Sequence, residues 1–231
     1  MPYFWGIDYT YIVLVVPALI FAMIAQAKVS STFRKYQKVG NRRGYTGAEV
    51  ARQILNMNGL HHITIERVHG NLTDHYDPRA NVVRLSESTY DSTSVGAIGV
   101  AAHEVGHAIQ HAAGYGPIKL RNAIVPITQF ASYAAWPLAI LGIVLSFPLL
   151  ADIGILLFTI VVAFHLITLP VEINASRRAV TTLGNHGILE GEELHGAKKV
   201  LSAAAMTYVA SAAVAAANLL RLLILSNNRR R

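Results

Sequence analysis

The 231-residue sequence contains no cysteine. That absence excludes a disulfide scaffold, thiolate metal sites and cysteine nucleophiles together. Charge is scarce as well. Only 14% of residues are charged, against about 25% in an average soluble domain. Acidic residues are the rarer sign, 13 against 20 basic ones, and the formal net charge is +7. No internal repeat and no RNA- or DNA-binding motif accompanies that charge, so nucleic acid is not an expected partner. The missing polarity is replaced by apolar residues, 53% of the chain, with a mean hydropathy of +0.39. Such a composition excludes disorder. It is also more than one soluble core of this size hides, which points to the bilayer. Any metal must be held by His, Asp or Glu, and ten His are available.

The first long apolar run, Tyr9 to Ala27, is long enough as a helix to span a bilayer, about 28 Å. We read 9–27 as a transmembrane anchor and 1–8 as a short extracytoplasmic N-terminus. Asp8 precedes the run, and Lys28, Arg34, Lys35, Lys38, Arg42 and Arg43 follow it. A signal peptide has the opposite order, and the positive-inside rule puts the basic side in the cytoplasm.

Residues 28–127 then read as a cytoplasmic α+β part. Thr46 and Glu49 form a capping box for a helix over 48–56 that ends near Asn58-Gly59. Ile63 to Val68 alternates as a half-buried strand does, and Asn81 to Ser86 reads as a second strand. Asn71 to Pro78 carries turn chemistry. Ser92 to Ser94 cap a helix over 95–113, stopped by Gly114, Gly116 and Pro117.

Two further apolar runs, 130–150 and 153–169, are separated only by Ala151 and Asp152. They predict a transmembrane hairpin over 130–169, whose outer turn lacks Lys and Arg. Residues 170–199 are polar and read as cytoplasmic, with a Gly-rich loop from Gly184 to Gly196. The Ala-rich helix 200–225 contains Arg221 and leaves two readings: it spans the membrane, or it packs on the catalytic part. Residues 226–231 form a basic tail.

The chemistry lies in His103-Glu104-Val105-Gly106-His107. Histidines at i and i+4 share one helix face about 6 Å apart, so both imidazoles reach one ion. This is the HExxH pattern of zinc peptidases. There zinc lowers the pKa of its water toward about 7, and the glutamate, here Glu104, takes the proton as general base. The flanks Ile98, Val100, Ala101, Ala102, Ala108 and Ile109 are apolar or small. Such a helix is buried, and a buried His-Glu-His set needs partners or a metal.

A third ligand is required. Gln110 and Ala113 stand where the metzincin pattern places Gly and His. His111 lies about 12 Å further along the axis. The first candidate is Glu172, where the hairpin returns to the cytoplasmic side. Glu190, Glu192, Glu193, His186 and His195 are alternatives.

Three stretches together resemble a known family: Asp74-His75-Tyr76-Asp77-Pro78, Val82-Val83-Arg84-Leu85-Ser86, and Val100 through Gln110. They are similar to the YugP-type neutral zinc metallopeptidases, small integral membrane proteins of bacteria. The resemblance covers nearly the whole chain. It places the sequence among membrane gluzincins related to HtpX and the CaaX prenyl endopeptidases. Those carry a hairpin between HExxH and a Glu in an ExxAD-like motif. Glu172 and Ala175 match that motif, but Ser176 stands where the relatives have Asp. The fold class expected is an α-helical membrane protein with a mainly α (α+β) zincin-like catalytic domain and a small β-hairpin or sheet before the HExxH helix. The expected site is His103, His107 and Glu172 on Zn2+, with Glu104 as base. The resemblance implies proteolysis of membrane or misfolded proteins at the cytoplasmic face of the cell membrane. Expected partners are a polypeptide substrate, the lipid bilayer, and other membrane proteins or a second copy of the chain. The competing reading is a catalytically silent membrane scaffold.

Secondary expectations concern the surroundings. Arg177, His186, His195 and Tyr208 are candidates to stabilise a developing oxyanion. Asn81 to Ser86 is a candidate edge strand for pairing with an extended substrate. His61, His62 and His75 read as exposed polar residues. His165 is an intramembrane histidine on nearly the face of Glu172.

Overall fold

The structure is a computed structural model that describes residues 9–230. The expected extracytoplasmic N-terminus, 1–8, and the side chains of the final arginines lie outside the described residues. The chain opens with a π-helical stretch, Tyr11–Val15, that continues as helix α1 (Val16–Tyr36). Then follow α2 (Gly47–Met57), β1 (Thr64–Val68), β2 (His75–Asp77), β3 (Val82–Ser86) and α3 (Val95–Ala112). Three long helices complete it: α4 (Gly116–Val144), α5 (Pro148–Asn185) and α6 (Gly191–Arg230). Four stretches are long and apolar enough to cross a membrane: Tyr11–Tyr36, Gly116–Val144, Pro148–Asn185 and Gly191–Asn227. The protein is a helical membrane protein with a small sheet.

The chain divides into two units. One comprises residues 1–26, 120–170 and 207–231; the other comprises 27–119 and 171–206. In the first, Ala135, Ala139, Ile155, Phe158, Val162, Ala215 and Leu222 form the core, with Trp136 edge-on to Phe158 at 5.8 Å. Small residues let α4 and α5 touch. A Cβ on Gly142 would overlap Ala151, and one on Gly154 would overlap Ala139. Large apolar side chains such as Phe130, Tyr133 and Leu156 stay exposed, as lipid-facing residues do.

The hairpin turn is not at Ala151-Asp152. Both residues lie inside α5, and the turn is Leu145 to Phe147. Ser146 is left-handed (φ 53°), Phe147 N–H bonds to Gly142 O at 2.8 Å and Ser146 N–H to Ile143 O. This is a Schellman stop, and Pro148 starts the next helix at the position where its missing N–H costs nothing. Hydropathy misses the turn because two of its three residues are apolar. Asp152, near the positive end of the α5 dipole, needs no break around it.

The second unit holds the sheet, in the order β1-β3-β2, with β1 parallel and β2 antiparallel to β3. Its core gathers Val50, Ile54, Leu55, Ile63, Val83, Leu85, Ile98 and Leu183. The α2 capping box is present: Thr46 Oγ accepts from Glu49 N–H at 3.2 Å, and Glu49 accepts from Thr46 N–H at 2.8 Å. Two expectations need correction. The 71–78 turn contains strand β2, held where Asp77 pairs with Arg84 at 3.0 Å. The 81–86 strand is not an edge strand, because β3 is paired on both sides. The Gly-rich loop is also shorter than expected. Gly187 (φ 60°) ends α5 with Ile188 N–H bonded to Leu183 O, and α6 already contains Glu192, Glu193 and His195.

Candidate metal centre

Helix α3 starts where Ser94 caps it, its side chain accepting from Ala97 N–H at 3.2 Å. It ends at Gly114 (φ 64°), with Tyr115 N–H bonded to Gln110 O. Between these stops His103 and His107 lie one turn apart, their rings edge-to-face with centroids 4.8 Å apart. Glu172 comes from α5. Close approach of the two helices is set by Gly106 and Ala175: a Cβ on Gly106 would sit 2.8 Å from Ala175 O.

Glu172 Oε2 lies 3.2 Å from His103 Nε2 and 3.5 Å from His107 Nε2. One donor atom from each of the three residues fits within 4.8 Å of the others. A tetrahedral zinc with bonds of about 2.0–2.1 Å puts neighbouring donors about 3.3 Å apart, which the two Glu172–histidine distances match. Glu172 and His107 are buried, and Glu104 is 9% exposed. Among the described residues, no hydrogen bond or ion pair engages the Glu104 carboxylate.

Hydrogen bonds fix which nitrogen of His107 faces the cluster. Arg178 can only donate, and its Nε lies 2.8 Å from Asn174 Oδ1. Asn174 Oδ1 is thus an acceptor, and Gln110 Nε2 donates to it at 3.0 Å and to Val171 O at 2.8 Å. That leaves Gln110 Oε1 to accept from His107 Nδ1 at 3.1 Å. In the neutral ring the Nε2 lone pair therefore points at Glu172. A lone pair facing a buried carboxylate needs a cation between them, a proton or a metal. His103 has its own partner, Ser176 Oγ, 3.1 Å from Nδ1.

The remaining candidates are placed elsewhere. Glu190, Glu192, Glu193, His186 and His195 are not in the cluster. His111 is exposed and stacks edge-on with Tyr76 at 6.1 Å. His61, His62 and His75 are exposed. His165 is half-buried beside Phe164. Arg177 is exposed beside a groove between α5 and α6 that Ser176 also lines. Tyr208 belongs to the other unit. Sequence reasoning missed Gln110, Asn174 and Arg178 as partners of the site. Their signal is weak: Gln110 follows His107 by one helical turn.

A family model described as "Putative neutral zinc metallopeptidase" matches residues 11–227. The chain belongs to this family. Among curated proteins, "Putative membrane protease YugP" of Bacillus subtilis (strain 168) is 50% identical over 220 residues, covering 95% of this chain and 98% of the relative. No solved structure matches the chain. Membership in a family of zinc metallopeptidases implies zinc and a polypeptide substrate. The donor set, two imidazoles and a carboxylate, is one that zinc accepts.

Proposed function

We propose that the protein is a multi-pass membrane zinc endopeptidase of the gluzincin type. It would cleave membrane or misfolded polypeptides at the cytoplasmic face of the cell membrane. The observation that carries this reading is the convergence of His103, His107 and Glu172 beside Glu104. The three ligands hold zinc, which when bound acidifies water and polarises a peptide carbonyl. Glu104 takes the proton from the attacking water and returns it to the leaving amine. Its carboxylate suits that role because, among the described residues, no donor occupies it. Gln110 and Ser176 orient the two imidazoles.

The orientation rests on the basic residues after Tyr9–Ala27 and on the absence of Lys and Arg from the hairpin turn. The sequence left open whether α6 spans or packs; we assign it as a fourth span. In one unit the Tyr36 ring lies where a Gly196 Cβ would go. In the other, Arg221 lies 5.1 Å over the Tyr11 ring. Buried Arg221 then has a cation–π partner.

The test is zinc content together with cleavage of unfolded and membrane substrates. Wild-type protein should carry one zinc per chain and cleave. His103→Ala should lose the metal. Glu104→Gln should keep it and lose roughly 10²–10⁴-fold in rate. Stoichiometric zinc with no cleavage would favour the silent scaffold, and absence of zinc would sink both metal assignments.

A further inference from the structure

We propose that the groove between α1 and α6 binds the phosphodiester headgroup of an anionic phospholipid. The groove encloses about 440 Å³, ample for a headgroup. Lys28 and Lys35 line it from α1, and Lys198 and Lys199 from α6. Thr32 and Ser202 add hydroxyls between them, while Ala203 and Met206 supply an apolar wall. No acidic residue lines it, and among the described residues none of the four lysines pairs with a carboxylate. Four lysines around one groove with no acidic residue in its lining make it electropositive, so an anion is the complementary occupant.

The depth selects the kind of anion. Lys28 is the first charged residue after the apolar run Tyr9–Ala27, which puts it at the edge of the hydrocarbon. From Lys28 to Tyr36, α1 rises about 12 Å, spanning the headgroup layer. Basic pockets between membrane helices at that level recognise lipid phosphates. Ammonium groups hold phosphate as point charges, and the hydroxyls can donate to its free oxygens. The proposal needs only the membrane setting and does not rest on the catalytic reading.

The full-length protein in detergent would be titrated with phosphatidylglycerol, phosphatidylcholine or inorganic phosphate, and bound species counted by native mass spectrometry. Wild-type protein should retain phosphatidylglycerol over phosphatidylcholine. The K35Q/K198Q variant should lose roughly 10- to 30-fold of that retention, at about one surface-lysine contribution per site. K28Q/K199Q should lose a similar amount. K38Q/K119Q changes charge equally at exposed positions outside the groove and should keep the preference. Unchanged thermal melting confirms that the variants are folded. Equal losses in all three variants, or no preference in wild-type protein, would overturn the site. Displacement of the lipid by equimolar inorganic phosphate would overturn the lipid as its occupant.

Discussion

At the scale of single residues, the decisive group besides the proposed ligands is Gln110. It is fully buried and ties His107 to the helix carrying Glu172. Gln110→Leu keeps the volume but removes the acceptor of His107 Nδ1 and the side-chain bonds to Val171 O and Asn174 Oδ1. Zinc affinity should fall roughly 10- to 100-fold, measured by competition with a chromophoric chelator; unchanged affinity would remove Gln110 from the site. The proposed ligand pair on α3 was legible because His103 and His107 are four residues apart on one predicted helix. That Glu172 comes close to them was legible through chain topology. The Arg178–Asn174–Gln110 chain was not, because it exists only once α3 and α5 are side by side. Periodicity within one helix carries no information about its neighbour's hydrogen bonds.

At the scale of elements, the contact between Gly106 and Ala175 governs the distance between α3 and α5. Gly106→Ala places a methyl against a backbone carbonyl that cannot rotate away. The helices must separate, at a cost of about 1–3 kcal/mol. Both thermal stability and zinc content should drop; a variant with normal zinc content would show that the spacing tolerates the shift. The cap of α2 and the β2–β3 pair respond to acid. Hydrogen bonds from Thr46, first its amide and then its hydroxyl, hold the Glu49 carboxyl below the ordinary range. The Arg84 side chain, then the Arg79 amide, do the same for Asp77. Carboxyls with lowered folded-state pKa add stability above their unfolded values, about 4. That stability is lost as pH falls through the lower folded values. Melting temperature should therefore decline below about pH 4, and Asp77→Asn should flatten the decline. An unaltered acid profile in Asp77→Asn would dismiss its part. The capping box was readable because it is local. The hairpin turn and β2 were not: one is apolar like its flanks, the other is three residues of turn-like composition stabilised by partners on β3.

At the scale of the whole molecule, the four apolar helices set which end of the chain emerges where. With α6 as a fourth span, both termini lie on the same side. Reporter fusions after Arg231 and within the α1–α2 connection should give opposite signals. A cytoplasmic signal at the C-terminus would restore the reading in which α6 packs on the catalytic part. The order of the chain also imposes a schedule on its chemistry. Glu172 follows His103 by 69 residues, and the whole hairpin lies between them. A ribosome adding about 5–20 residues per second needs about 3–14 s to pass from one to the other. During that interval the nascent protein carries two of the three proposed ligands, so the proposed hydrolase stays dormant until its hairpin has been made. A chain arrested before Glu172 should therefore hold zinc no better than Glu172→Ala does.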